Sequence, residues 1–103
     1  MFLNDKEGKI IATFYSNLAF YENIDMQLKW SDGFQINANF DTCFESDNDL
    51  EMSNPHYEEF TVFVFKANSV IGSSSIYITE DNYFCIDYRN FPEDIIANGE
   101  KIN

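Results

Sequence analysis

The chain has 103 residues, of which 18 are Asp or Glu and 6 are Lys or Arg, giving a formal charge of −12. So few cations exclude phosphate binding as the main task, since nucleic-acid readers need Lys and Arg to displace counterions, and they disfavour docking on anionic membranes. Apolar residues at 45% and aromatics at 17%, including 11 Phe and 6 Tyr, are enough to bury a core in one domain spanning 1–103, so disorder is not expected.

Residues 1–9 mix Asp5, Lys6, Glu7 and Lys9 with few apolar side chains and lack a signal peptide's apolar centre, so the expected location is the cytoplasm. Residues 10–15 are rich in β-branched and aromatic side chains and predict a strand, although Ile10, Ile11, Phe14, Tyr15 and Leu18 also fit one face of a helix. Ile24, Met26, Leu28 and Trp30 then alternate with polar residues, as do residues 34–45, where even positions are apolar apart from Thr42. These are two half-buried strands. A two-residue Asp32-Gly33 turn would pair Trp30 with Gln35 and mix the faces. A three-residue loop, 31–33, pairs Leu28 with Ile36 and Met26 with Ala38, with Gly33 left-handed, so the three-residue loop is predicted.

Residues 60–66 are apolar on both faces and predict a strand covered on both sides. A second hairpin is predicted over 76–86, with Glu80, Asp81 and Asn82 as its loop, Thr79 opposite Tyr83 and Asn82 left-handed. Pro92, followed by Glu93 and Asp94 and closed by Asn98-Gly99, predicts a short terminal helix. The expected fold is mainly β: a single antiparallel sheet of about six strands, strongly curled or a partly closed barrel, with a short C-terminal helix.

Catalytic chemistry has little footing. His56 is the one histidine, in a Pro-containing polar loop, and no nucleophile elbow, P-loop or HExxH motif is present. Cys43 and Cys85 lie far apart without CxxC or His-rich company and are expected to be reduced thiols. Asp47, Asp49, Glu51, Ser53 and Glu58 fall at positions 1, 3, 5, 7 and 12 of an EF-hand count, but Met52 replaces the glycine at position 6 and Pro55 stands at position 9. No metal or cofactor is expected, and a weak calcium site is the minor alternative.

The charge pattern is more informative. No cation occurs in the 36 residues between Lys29 and Lys66, which hold eight acids, seven of them within 41–59. Such a run is either a solubility device or a docking face for a basic protein, where opposed potentials speed encounter. The candidate partner-binding residues are Asp41, Glu45, Asp47, Asp49, Glu51, Tyr57, Glu58 and Glu59, with Asp41 and Glu45 expected on one outward face of the long strand. Phe44, Leu50, Met52, His56, Tyr57 and Phe60 are interleaved as candidate apolar anchors.

The stretch Phe40-Asp41-Thr42-Cys43-Phe44-Glu45-Ser46-Asp47-Asn48, then Pro55-His56-Tyr57-Glu58-Glu59-Phe60, and Asp87-Tyr88-Arg89-Asn90-Phe91-Pro92 resembles small acidic bacterial immunity proteins of polymorphic and contact-dependent toxin systems. The resemblance covers about half of the chain, includes no catalytic signature and carries no site residue with it. It implies toxin neutralisation. Together with the acidic run and the lack of catalytic motifs, the expected protein is non-enzymatic, monomeric or a small oligomer, and neutralises a basic toxin domain, with a nuclease the foremost candidate and occlusion of its cleft the expected mechanism. A phage-encoded inhibitor or DNA mimic such as an anti-CRISPR fits the same size and charge. A calcium- or small-ligand-binding β-barrel is the alternative from another class.

Overall fold

The computed structural model describes residues 5–16, 24–73 and 76–103. A helix, α1 (Asp5–Ser16), precedes six strands: β1 (Asp25–Lys29), β2 (Gln35–Asp47), β3 (Glu59–Ile71), β4 (Tyr83–Ile86), β5 (Asp94–Ala97) and β6 (Glu100–Lys101). They form one antiparallel sheet in the order β4-β3-β2-β1-β5-β6. The sheet is open, with β4 and β6 as its edges, so the expected partial barrel is not formed. Among the described residues, no helix is long and apolar enough to cross a membrane.

Both predicted turns form. Leu28 pairs with Ile36 and Met26 with Ala38 across a three-residue loop in which Gly33 has φ 91°. Asn82 has φ 70°, and the Thr79 N–H donates to the Tyr83 carbonyl at 2.9 Å. Residues 76–79 are not a strand; Ile76 and Ile78 pack partly against the core, while β4 pairs with β3.

Two elements differ from the sequence-based expectation. Residues 10–15 lie within α1, because Glu7, Ile11 and Phe14 share one helical face and are fully buried, whereas Ile10 is exposed. Leu18, the last member of that proposed helical face, lies outside the described residues. The expected C-terminal helix is instead the β5–β6 hairpin. Ile95 and Ala97 alternate inward opposite Leu28 and Met26, and Asn98 and Gly99 (φ 53° and 80°) make a two-residue turn of the kind hairpins favour.

One face of the sheet carries α1 and Phe91 of the segment 87–93, which leads across from β4 to β5, while Tyr88 and Arg89 of that segment reach Phe60. Phe14 lies against Phe40, Phe63, Phe65 and Phe91, with ring centroids 5.3–6.1 Å apart. The Trp30 indole N–H donates to the Asn90 carbonyl at 2.8 Å, fastening the crossing segment to the end of β1. As predicted, β3 is covered on both sides over its first half. Phe63 and Phe65 face the helix, and Phe60 and Val62 are buried on the other side, where the Arg89 guanidinium lies 4.1 Å from the Phe60 ring.

Candidate functional site

β2 and β3 outrun β1, and the far halves of the pair project as an arm that ends in the loop 48–58. The register along this arm decides where each acid points. β2 and β3 slip twice, between Asn37 and Ala38 and between Phe40 and Thr42. At the second slip Asp41 is the extra residue, and one extra residue turns every later side chain over. Beyond it, Cys43 pairs with Phe63, Glu45 with Thr61, and Asp47 with Glu59, all on the helix-bearing side. Thr42, Phe44 and Ser46 fall on the opposite face with Val64, Val62 and Phe60.

The bulge therefore separates Asp41 from Glu45, which do not share a face. Asp41 and Asp47 are also six residue steps of extended chain apart, roughly 20 Å. Glu45, Asp47 and Glu59 are brought together at the end of the arm, the first two exposed and the third half-buried. Asp49 and Glu51 are exposed on the loop.

That loop is stitched rather than loose. Asn48 donates from its backbone N–H to the Glu58 carbonyl at 3.2 Å and from Nδ2 to the His56 carbonyl at 2.8 Å, and its Oδ1 accepts the Glu58 N–H at 3.3 Å. The Asp47 carboxylate accepts the Asp49 N–H at 2.8 Å, holding Asp49 at φ 65°. Among the described residues, no group of three or more His, Cys, Asp or Glu side chains converges to hold a metal ion.

Tyr57 and Glu58 sit at the base of the loop, both half-buried. Partial burial, and after it the hydrogen bond and charge of Glu59, push the Tyr57 phenol above its usual range. The Glu58 carboxylate accepts the Tyr88 hydroxyl, a contact between residues 30 apart that no local pattern announces. Arg89 beside it is held by the Asp87 carboxylate at 2.8 and 3.0 Å. A cation from the crossing segment thus stands at the base of the loop, at the far end of an arm whose own sequence has none.

The Glu58 hydrogen bond, with burial and the Glu58 charge behind it, pushes the Tyr88 phenol up to about 12. Its folded value is raised, so this contribution to stability is fully present below the ordinary tyrosine range and is lost as pH climbs from about 10 towards 12. Near-ultraviolet titration of tyrosinate should show one late-titrating tyrosine, and Glu58→Gln should bring it back towards the others. If all the tyrosines of the wild-type chain titrate together, the contact is absent in solution.

Cys43 and Cys85 are free thiols. Register places Cys43 on the helix-bearing face and Cys85, opposite Val64, on the other, so they are not positioned to bridge. The face away from the helix also holds a cavity of about 410 Å³ between β1, β2 and β3, lined in part by Asp25, Gln27, Asn37, Asn68 and Ser69. Its polar groups are tied to one another: Asn39 donates to Asp25 at 2.7 Å, Asn68 to Asn39 at 2.7 Å, and Asn37 to Ser69 at 2.8 Å.

The arrangement offers an acidic end and a partly apolar face, and among the described residues it gathers no nucleophile–base pair around His56, which is exposed on the loop. Residues 10–102 match the family model described as Cognate immunity protein YxxD. No curated protein and no solved structure matches the chain.

Proposed function

The chain belongs to the family of the cognate immunity protein YxxD, and from that membership we propose that it neutralises a nuclease toxin by covering a Lys- and Arg-rich substrate cleft with the end of the β2–β3 arm. Membership itself implies a toxin as the partner. The observation that supports the finer reading is the gathering of Glu45, Asp47 and Glu59 at the end of the arm, with Asp49 and Glu51 beyond them on a stitched loop. Carboxylates held this way stand in for the phosphates of the substrate. Little rotamer or loop ordering remains to be done on binding, which leaves more of the contact energy as affinity.

In this reading the protein acts without catalysis, in the cytoplasm, where a nuclease would meet its substrate. The charge of −12 steers a basic toxin to the arm and accelerates association most at low salt. The family match favours this role over a phage-encoded inhibitor, and the open sheet offers no barrel interior for a ligand.

The double reversal Asp47→Lys/Asp49→Lys tests the proposal in a binding titration against the cognate toxin. Kd should rise about tenfold or more, chiefly through slower association, and its dependence on salt should flatten. Both side chains are exposed, so the variant should keep its fold by circular dichroism. A folded variant that binds the toxin and inhibits it as well as the parent would remove the acidic arm from the mechanism.

A further inference from the structure

The bulge at Asp41 gives the arm two chemistries, one on each face, and the sheet face away from the helix is left with an apolar strip that no described element covers. Phe44 is 49% exposed there, diagonally beside Val64, and Val64 pairs in turn with the exposed Cys85 on β4. Where this row reaches the sheet edge, a groove of about 310 Å³ opens, lined by Cys85, Tyr83 and Tyr77 among others, and Tyr77 is 77% exposed. The strip is framed by charge. Asp41 stands at its β2 end, Glu80 and Asp81 are exposed in the turn before Tyr83, and the Lys66 ammonium lies 5.7 Å from the Tyr83 ring.

We infer that this strip, running from Phe44 across Val64 and Cys85 to the Tyr77 groove, is a second docking surface for the toxin, receiving an apolar protrusion flanked by basic residues. The inference rests on the toxin partner of the preceding section and adds the face opposite to Glu45 and Asp47. Charge complementarity selects the occupant. Asp41, Glu80 and Asp81 around the patch outnumber Lys66, the cation beside it, and on a chain of −12 the patch repels a second copy of itself and attracts a basic surface. Composition supports the same choice, because binding energy concentrates on aromatic side chains that fill or frame a pocket inside a polar rim. The groove at Tyr77 supplies the pocket and Phe44 the anchor. The acidic face would then set how fast the toxin arrives, and the strip how slowly it leaves.

Phe44→Ser and Tyr77→Ser, made separately in the full chain, separate these roles when binding kinetics are measured against the same cognate toxin beside Asp47→Lys/Asp49→Lys. Each single variant is expected to weaken binding about tenfold or more through faster dissociation, with the salt dependence unchanged. Tyr77 is largely exposed and Phe44 about half, so melting should stay close to that of the parent. If both serine variants bind like the parent while the acidic reversal weakens binding, the strip is overturned and the acidic arm stands. If the serine variants weaken binding and the reversal does not, the strip stands and the acidic arm falls. Sedimentation equilibrium of the chain alone supplies the remaining arm: a self-association abolished by Phe44→Ser would assign the strip to a second copy and overturn the inference.

Discussion

Replacing Phe14 by alanine is expected to lower the unfolding free energy by about 3–5 kcal/mol, the usual cost of removing a fully buried aromatic ring. Phe14 has no exposed surface, and its ring meets Phe40, Phe63, Phe65 and Phe91, so one side chain joins the helix to β2, to β3 and to the crossing segment. Alanine is the better helix former, so α1 itself gains slightly and the whole loss is packing. Domains of this size have roughly 5–15 kcal/mol in all, so the variant should sit near the edge of folding at physiological temperature. Urea denaturation would read the effect as a lowered midpoint with an unchanged slope. Ile10→Ala, on the exposed side of the same helix, is the control and should move the midpoint little. A Phe14→Ala loss below about 1 kcal/mol would mean that α1 does not pack on the sheet as described.

The β1–β2 hairpin and the 79–83 turn were legible because side-chain parity leaves one register when both flanking segments have an apolar face, although residues 76–79 do not go on to form a strand. Gly33 and Asn82 then occupy the positions that need positive φ. The helix was hidden by Glu7, a charged residue on its buried face, which masks the helical period and leaves Ile10 to Tyr15 looking β-like. At the other end, Pro92 and Asn98-Gly99 carry two meanings. Proline suits a first helical turn, and Asn-Gly suits either a helix end or a hairpin. The inward alternation of Ile95 and Ala97 decides for the hairpin. Six strands were therefore expected and six occur, although β5 and β6 replace two segments that do not form strands. Of the candidate site, the sequence shows the density of acids but not their direction. Asp41 continues the apolar–polar alternation without a break, and it is recognisable as an extra residue only once Phe40 and Thr42 are seen opposite Phe65 and Val64. The two-faced arm follows from that one long-range fact.

Glu7 is where local pattern and tertiary need conflict most sharply, and its removal should have the second large effect. Its carboxylate is fully buried and accepts the backbone N–H of Thr61, a residue 54 positions away and opposite Glu45 on the arm. Thr61 lies just beyond the segment of β3 that β4 pairs with, Phe63 to Lys66, so the helix satisfies a sheet donor where the neighbouring strand has ended. Glu7→Ala leaves that buried donor unpaired, which costs about 1–3 kcal/mol, and forfeits the packing of the side-chain stem, about 1 kcal/mol more. Glu7→Gln keeps an acceptor oxygen of nearly the same shape and should recover most of the loss. A melting temperature lowered by roughly 10 °C or more in the alanine variant, with the glutamine variant well above it, is the expected pattern. Hydrogen exchange adds a local readout that a general loss of stability does not mimic: in Glu7→Ala the Thr61 amide should exchange faster than those of Phe63 and Phe65, whereas global unfolding would release all three together. Equal acceleration of all three would place the role of Glu7 in helix packing alone. Selective acceleration at Thr61 would establish that α1 secures the far part of the arm, where Glu45 and Asp47 are carried.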